Sequence, residues 1–297
     1  MLRRRSVAFM PERNTGLTTE EVKRYWENGF LVFDDVLAPE EVELYREICA
    51  SDAVVSKRSS ERYKQETVHL LGLTAMHPAL LDLARHPAIV AKIVPLLGPD
   101  IQIQHSKLAT KPPSKGLGMF PWHQDFAFYP HTNTDLLSVM IMLDDATPEN
   151  GCMQMVKGSH KLGMLDHSVD GYFTAACQEP ERWEHSPEDQ IVHVTPRAGG
   201  ISIHHCLTLH GSPVNLSGKE RRGIVISYRA DDAYQLADNL FNDTGIMVCG
   251  ERKEIVRCEP AAYRLPKRRP PFSKTAAYAP FGTAWNQVGS EVTDYTP

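Results

Sequence analysis

The first hundred residues contain segments of mixed hydrophobic and polar residues, and these segments are bounded by residues that typically begin or end a helix. Thr18 followed by Glu21 is the reciprocal capping pattern that begins a helix, and Gly29 is suited to ending it. Proline in the first turn predicts further helices at three positions, which begin near Pro39, Pro78 and Pro87. We therefore expect the N-terminal part of the chain to be largely helical.

From residue 101 onward the pattern changes to short runs of β-branched and apolar residues, separated by turn-forming residues. The predicted strands are 30–33, 101–108, 136–143, 152–156, 190–194, 200–204 and 223–228. Both alternating faces of 136–143 are apolar, so this strand is expected to be covered on each side. Many short strands in series predict a mainly β fold of the jelly-roll type with flanking helices.

The pattern divides the chain into three parts. Residues 1–16 form a polar N-terminal arm, and residues 17–258 form a single domain that begins with the helical part. Residues 259–297 are rich in proline and in basic or small residues, which predicts an extended C-terminal tail. No internal repeat is visible.

Composition narrows the class of protein. The 297 residues are 42% hydrophobic and 23% charged, as in an ordinary globular protein. A formal charge of -5 gives no bulk attraction to nucleic acid or to an anionic membrane. The chain lacks an apolar run of the ~18 residues that a membrane helix needs and lacks a secretory signal, which predicts a cytoplasmic location. Six scattered cysteines without a CxxC pair indicate neither a zinc knuckle nor a disulfide framework.

One aromatic stretch, FPWHQDFAFYP at residues 120–130, contains a candidate half of a metal site. On a β-strand, residues two apart project to the same side, so His123 and Asp125 are predicted to converge on one ion while Gln124 points away. A non-haem Fe(II) site needs two imidazoles and one carboxylate on one face of the metal, and this pair supplies two of the three. The flanking aromatic residues are expected to wall a dry pocket.

The other half of such a site lies downstream, where a β-like segment ends in HHCLTLHGS. Alternation does not separate His204 from His210, because the two positions share parity. The next predicted strand opens with Arg221 and Arg222, and a guanidinium there can hold a carboxylate in bidentate fashion. Either arginine fits this role on pattern alone.

These motifs together resemble the phytanoyl-CoA dioxygenase (PhyH-like) family of Fe(II)- and 2-oxoglutarate-dependent oxygenases. The resemblance rests on WHQD with a following FYP, on ENGCMQMVKGSHKLG, on LHGSPVN before an arginine, and on the opening LTTEEVKRYWENGFLVFDDVLAPEEV. It extends from about residue 17 to residue 228. It implies a double-stranded β-helix (jelly roll, cupin-like) core with N-terminal helices packed on one side.

The resemblance also implies roles for individual residues. His123, Asp125 and His210 are expected to bind Fe(II), with the HGS context favouring His210 over His204. Arg221, eleven residues after His210, is expected to bind the distal carboxylate of 2-oxoglutarate. His204 and His205 are then expected to fill core or hairpin positions.

Further contacts to the cosubstrate are implied by neighbouring segments. Ser212 is expected to help hold the distal carboxylate. Residues 105–113 match the family strand that lines the cosubstrate pocket, so His105 and Lys107 are candidates for contact with it. The chain departs from the pattern at Ile141, where some members carry tryptophan.

The reaction implied is hydroxylation of an unactivated C–H bond in a small organic molecule, with O2 and 2-oxoglutarate as cosubstrates and succinate and CO2 as products. A natural-product or metabolic intermediate is the expected substrate. Asp125 disfavours halogenation, because halogenases of this broad family leave that position small so that chloride can bind. Desaturation, epoxidation, ring formation and acyl-CoA hydroxylation are alternatives with the same cofactors. A non-oxidative metal cupin is a more distant alternative, which has no need of Arg221.

Overall fold

The computed structural model describes residues 16–56, 68–113, 118–183, 190–236, 242–265 and 287–288. Its α-helices are α1 (Thr19–Asn28), α2 (Pro39–Ala50), α3 (Asp52–Val55), α4 (Pro78–Ala84) and α5 (Pro87–Leu97). Short 3-10 turns lie at Leu73–Ala75, Asp125–Ala127, Ser159–Leu162 and Pro180–Arg182. The helices predicted near the three prolines and after Thr18 are all present.

Local chemistry sets the helix ends. The Thr18 hydroxyl accepts from the Glu21 N–H at 3.2 Å, while the Glu21 carboxylate accepts from the Thr18 N–H at 2.8 Å, which is the predicted capping box. Gly29 ends α1 in the left-handed region with a φ of 87°. Imidazoles cap α4 and α5, since Nδ1 of His77 and of His86 accepts a backbone N–H two residues on at 3.2 Å. These two caps were not anticipated from the sequence.

The strands of the described residues include all seven that were predicted and others that were not. They are β1 (Phe30–Phe33), β2 (Val68–Leu71), β3 (Ile101–Lys111), β4 (Phe120–His123), β5 (Leu136–Met142), β6 (Met153–Val156), β7 (Ser168–Val169), β8 (Tyr172–Phe173), β9 (Ile191–Val194), β10 (Ile201–His205), β11 (His210–Ser212), β12 (Arg221–Ala230), β13 (Met247–Cys249) and β14 (Gln287–Val288). β3 and β12 are longer than predicted, because each pairs with the other along nearly its whole length.

Two sheets make up the core of the fold. The larger has the order β1-β10-β5-β12-β3-β2-β14, with β13 on the edge of β3, and the smaller has the order β4-β11-β6-β9. Pairing is antiparallel except between β14 and β2. β7 and β8 form a separate hairpin. Two antiparallel sheets packed against each other, with the helices outside, confirm the predicted mainly β, cupin-like architecture.

The larger sheet packs on both of its faces. Ile141 and Ile226 belong to a buried cluster with Ile93 of α5, on the face that the helices cover. On the other face, Met140 packs with Met155 of the smaller sheet. All seven residues of β5 are buried, as its apolar pattern predicted. Ile141, the position of the family departure, therefore faces the helices and not the space between the sheets.

Antiparallel pairing arranges polar residues in rows on the face that the smaller sheet covers. One row crosses four strands and consists of His204, Ser138, Ser227 and His105. Further along β3 and β12, Lys107 lies opposite Val225, and Lys111 lies opposite Arg221. Directly opposed residues of an antiparallel pair share a face, so these rows project into one space.

The ends of the chain are only partly described. Residues 1–15, 266–286 and 289–297 lie outside the described ranges, and residues 259–265 contain no helix or strand and are mostly exposed. The division into arm, domain and tail therefore stays a prediction. Within the described ranges, no helix is long and apolar enough to span a membrane.

Candidate active site

The end of β4 and the start of β11 bring two histidines together. The strands pair with His123 directly opposite His210, and the two ring centroids lie 4.1 Å apart. Asp125 Oδ1 lies 3.7 Å from Nε2 of His123 and 3.8 Å from Nε2 of His210. The three buried side chains form a group whose ligand atoms all lie within 4.8 Å of one another, close enough to share one metal ion.

Asp125 reaches this position through a turn and not through strand alternation. β4 ends at His123, and a 3-10 turn then begins at Asp125, where the Phe128 N–H donates to the Asp125 carbonyl at 3.0 Å. The prediction of a continuous strand through both residues is wrong, although the two side chains do converge. Gln124 points away as predicted, and its amide donates to two backbone carbonyls at 2.8 Å, which fixes the bend.

Backbone carbonyls orient both imidazoles. Nδ1 of His123 lies 2.8 Å from the Pro121 carbonyl oxygen, and Nδ1 of His210 lies 2.8 Å from that of Thr208. An Nδ1–H that donates to a carbonyl fixes the tautomer and leaves Nε2 as the atom that can bind a metal. Both Nε2 atoms therefore face Asp125 Oδ1 in the form that a metal requires.

The second oxygen of Asp125 is held by the polar row of the larger sheet. Ser138 Oγ donates to Oδ2 at 2.7 Å, and Nε2 of His204 lies 3.1 Å from the same oxygen. The expectation that His204 is a core or hairpin residue is therefore corrected, because its parity on β10 turns it towards the cavity. His205 faces the other way and packs 6.3 Å from the Tyr25 ring, as a core residue does.

The protonation states suit a divalent cation. Burial alone would raise the pKa of Asp125, but the hydrogen bond from His204 and the nearby positive groups, Lys107 among them, hold this pKa well below its usual range. Burial lowers the pKa of His123 well below its usual range and lowers that of His210 to about 4. At neutral pH the group therefore presents one carboxylate and two neutral imidazoles, which is the form that binds a metal.

His105 supports the carboxylate from behind the cavity wall. Its Nε2 lies 3.2 Å from Ser227 Oγ, which lies 2.7 Å from Ser138 Oγ, and Ser138 bonds Asp125. The His105 ring also packs against the Tyr129 ring, at 5.3 Å between centroids. Burial lowers the pKa of His105 to about 3, so its imidazole is neutral. His105 is not among the residues that line the cavity, so its contact with a cosubstrate stays a prediction.

The other end of the cavity is basic. Arg221 is buried, and its Nη1 donates to the Gly151 carbonyl at 3.1 Å, while its Nε has no hydrogen-bond partner among the described residues. Ser212 and Lys111 line the same cavity. Burial and the charge of Arg221 lower the pKa of Lys111 to about 6. Two crowded basic side chains, one of them with an unused guanidinium donor, are suited to a carboxylate ligand.

Arg222 points to the opposite side of β12. Its Nε and Nη2 donate to the two carboxylate oxygens of Asp144, each at 2.9 Å, and its backbone N–H donates to the same carboxylate at 2.8 Å. The Arg222 guanidinium is thus engaged by a protein carboxylate. Of the two arginines that the sequence left open, Arg221 is the one that lines the cavity.

Lys107 lies on the cavity wall between the basic end and the histidines. Its Nζ is 5.7 Å from the centroid of the Phe120 ring, and that ring lies 4.9 Å from the His123 ring. His69 stacks on Phe120 at 4.7 Å between centroids and also lines the cavity. Val225, opposite Lys107 on β12, adds an apolar wall.

Most of the aromatic run packs away from the cavity. Phe120 is the member that lines it. The Trp122 ring packs against Trp183 at 4.7 Å, and Phe126 and Tyr129 are buried together in a separate apolar cluster. Within the described residues, Phe120 is thus the one ring of the run that lines the cavity, while Phe128 packs against the His123 ring at 5.6 Å between centroids.

Several residues of the site were missed from the sequence. Lys111 had a usable signal, since it lies four residues after Lys107 and so shares its face on one strand. His204 also had one, because it shares parity with His210, whereas His69, Ser138 and Ser227 had none, because their places depend on which strands become neighbours.

The arrangement can hold a metal and a dicarboxylate together. Two neutral imidazoles and one carboxylate on one side of a pocket form the 2-His-1-carboxylate ligand set of non-haem iron enzymes. The opposite end of the same cavity offers the Arg221 guanidinium to an anion. A ligand with a carboxylate at each end can bridge the two.

The chain is similar in sequence to known proteins. The sequence model described as phytanoyl-CoA dioxygenase (PhyH) matches residues 25–223. A probable alpha-ketoglutarate-dependent hypophosphite dioxygenase of Stutzerimonas stutzeri is 33% identical over 250 residues, which cover 78% of this chain and 86% of that protein. The peroxisomal phytanoyl-CoA dioxygenase of Homo sapiens is 23% identical over 266 residues, which cover 78% of this chain and 75% of that protein.

Solved structures share the fold. The non-heme alpha ketoglutarate dependent carbocyclase SnoK from nogalamycin biosynthesis superposes with a TM-score of 0.61 at 27% identity, over 73% of this chain and 86% of that chain. EctD from S. alaskensis superposes with a TM-score of 0.62 at 20% identity, over 88% and 90% of the two chains. At that identity the second likeness is one of fold alone.

Proposed function

The chain belongs to the phytanoyl-CoA dioxygenase family, and from this premise we propose that His123, Asp125 and His210 bind the Fe(II) of a 2-oxoglutarate-dependent dioxygenase. The protein is an enzyme of the non-haem iron class, in line with its alpha-ketoglutarate-dependent relatives. The assignment of each ligand is our own.

One observation carries the assignment. Asp125 uses Oδ2 for hydrogen bonds with Ser138 and His204, while Oδ1 faces the two Nε2 atoms. A carboxylate held in this way offers a metal one oxygen in a fixed direction. The backbone carbonyls that hold both Nδ1 atoms add the same constraint to the imidazoles.

We propose that the distal carboxylate of 2-oxoglutarate binds Arg221, with Ser212 and Lys111 beside it. The free Nε of Arg221 supports this, as does the depressed pKa of Lys111, since a bound carboxylate would restore the charge of that amine. Lys107 would lie beside the bound cosubstrate, between its two carboxylates. His105 would act on Asp125 through Ser227 and Ser138.

The reaction we propose is hydroxylation of an unactivated C–H bond in a small organic molecule, a natural-product or metabolic intermediate. Fe(II) with 2-oxoglutarate and O2 supplies the oxidising chemistry, as 2-oxoglutarate is decarboxylated to succinate and CO2. The protein positions the reactants and keeps them dry, with Phe120, Val225 and Met140 as the apolar part of the wall. Desaturation, epoxidation, ring formation and acyl-CoA hydroxylation use the same parts and are distinguished by the product.

Oxidation of hypophosphite is a second candidate reaction. A relative with 33% identity over most of both chains is named for it, and the cavity of this chain carries Lys107, Lys111 and Arg221. In this reaction one oxygen atom would enter a P–H bond, giving phosphite. Incubation with Fe(II), 2-oxoglutarate and hypophosphite would reveal it as phosphite formed in step with succinate.

A cytoplasmic location is likewise proposed, and cell fractionation would test it.

Two ligand variants test the iron site. We expect His123→Ala and Asp125→Ala each to abolish oxygen-dependent consumption of 2-oxoglutarate and to lower the affinity for Fe(II), because each removes one of three ligands. His193→Ala is the matched control, since His193 is an exposed histidine of the smaller sheet. Full activity in either ligand variant would refute the assignment. Succinate formation that depends on 2-oxoglutarate in the wild type would exclude a non-oxidative metal cupin.

A further inference from the structure

Lys107 is a cation inside the cavity that pairs with no carboxylate in the part of the chain that the structure describes. Among the described residues it forms no hydrogen bond and no ion pair, and its recorded close neighbour is the face of the Phe120 ring. Its charge is felt by Asp125, but that carboxylate is occupied by Ser138 and His204 on one oxygen and faces the histidines with the other.

The cosubstrate does not need this lysine. Of the two carboxylates of 2-oxoglutarate, the one beside the keto group would chelate iron and the other would meet Arg221 and Lys111. Lys107 lies between these ends, four residues before Lys111 on the same face of β3. It borders the space on the cavity wall between β2 and β12, beside His69 and Val225.

The charges of the loaded cavity show a surplus. Among the described residues that line it, the lysine and arginine side chains are Lys107, Lys111 and Arg221, the histidines are taken as neutral, and Asp125 is the acidic residue. The charges of Fe(II) and of doubly ionised 2-oxoglutarate cancel, so two positive charges remain in excess. One positive charge remains in excess even when Lys111 is neutral. Buried charge of one sign is costly unless a partner neutralises it, and a substrate is the component still to be added.

We propose that Lys107 binds a negatively charged group of the substrate, so that this enzyme oxidises compact anions, such as carboxylates or phosphorus oxyanions, in preference to neutral molecules. His69 is placed to add a hydrogen bond to the same group, and Phe120 and Val225 border its apolar part. The inference rests on the proposed function, because it takes the basic end of the cavity and the iron position as occupied by 2-oxoglutarate.

Burial supports the same assignment. Burial lowers the pKa of Lys107. Burial also lowers the pKa of His69 well below its usual range, and the charge of Lys107 adds to this effect. An anion between the two groups would raise the pKa of Lys107 again and would accept a hydrogen bond from the neutral His69 imidazole.

Two matched variants on one strand test the proposal. Protein loaded with Fe(II) and 2-oxoglutarate without oxygen is titrated with hypophosphite, acetate and inorganic phosphate, and binding is read from the charge-transfer absorption of the iron chelate. We expect at least one of these anions to bind the wild type, and Lys107→Met to weaken it at least about ten-fold while 2-oxoglutarate affinity changes less than about two-fold. Lys111→Met should show the converse, with weaker 2-oxoglutarate binding and unchanged anion binding at saturating cosubstrate.

Three results would overturn the inference: no anion binds the wild-type complex, Lys107→Met binds the anion like the wild type, or Lys107→Met loses 2-oxoglutarate. The last result would assign Lys107 to the cosubstrate. Failure of the proposed function is distinct, because the wild type would then form no iron chelate absorption before any anion is added.

Discussion

Replacing His204 by phenylalanine tests whether the larger sheet positions the metal ligand Asp125. The change keeps a ring of similar size but removes the group that lies 3.1 Å from Asp125 Oδ2. Ser138 would remain as the donor to this oxygen, at 2.7 Å. The carboxylate would then be held by one of its two hydrogen bonds, and its orientation towards the histidines would be less strongly fixed.

The size of the effect follows from the contact. A hydrogen bond to a buried ionised group is worth about 1.5–3 kcal/mol, and Asp125 is only 5% exposed. If the hydrogen bond contributes this free energy to orienting the metal ligand, its loss should lower the Fe(II) affinity by about 10- to 100-fold. His204→Gln retains an N–H donor and should recover part of the loss. Ser138→Ala should show a loss of similar size.

The assay is anaerobic titration of the protein with Fe(II), followed by the ratio of 2-oxoglutarate consumed to substrate oxidised. We expect that ratio to rise in His204→Phe, because a mobile ligand lets cosubstrate turnover proceed without substrate oxidation. His205→Phe is the control, since His205 packs on the opposite face near Tyr25. Equal metal affinity in His204→Phe and the wild type would show that the hydrogen bond does not position Asp125.

Two further predictions use residues at the edge of the site and in the core. Arg221→Met should raise the dissociation constant for 2-oxoglutarate at least about ten-fold, whereas Arg222→Met should leave it within about two-fold. Calorimetry measures both constants, and the reverse order would assign the cosubstrate to Arg222. Burial lowers the pKa of His131 to about 3, so below pH 6.5 the unfolded chain takes up a proton that the folded protein excludes until pH 3. The free energy of unfolding should therefore fall by about 1.4 kcal/mol per pH unit for this histidine as the pH decreases through that window. Urea unfolding of metal-free His131→Gln between pH 6 and pH 4 should show a slope smaller by that amount, and an unchanged slope would contradict it.

Much of the fold was predictable because the signals are local. The capping box at Thr18, the prolines that open helices and the two apolar faces of residues 136–143 each require only neighbouring residues to be interpreted, and the structure contains all of them. Strand lengths were less predictable. β3 extends to Lys111 because β12 pairs with it there, and that pairing is a property of the assembled sheet.

The site divides in the same way. His123, Asp125 and His210 stand in short motifs, so the sequence proposed them together and the structure brings them within reach of one ion. The role of Ser138 could not be predicted from the sequence, because its contact with Asp125 depends on β5 lying between β10 and β12. The turn at Asp125 was missed for a related reason, because Gln124 anchors the bend through bonds to distant backbone carbonyls.

The opposed directions of Arg221 and Arg222 limit how β12 can change during evolution. Side chains alternate along a strand, so the gain or loss of a single residue near the start of β12 would turn Arg222 inward and Arg221 outward at once. The clamp between Arg222 and Asp144 opposes that slip, because one carboxylate holds both the backbone and the guanidinium of the same residue. Homologous enzymes and engineered libraries should therefore vary in residue identity along β12 while conserving its length.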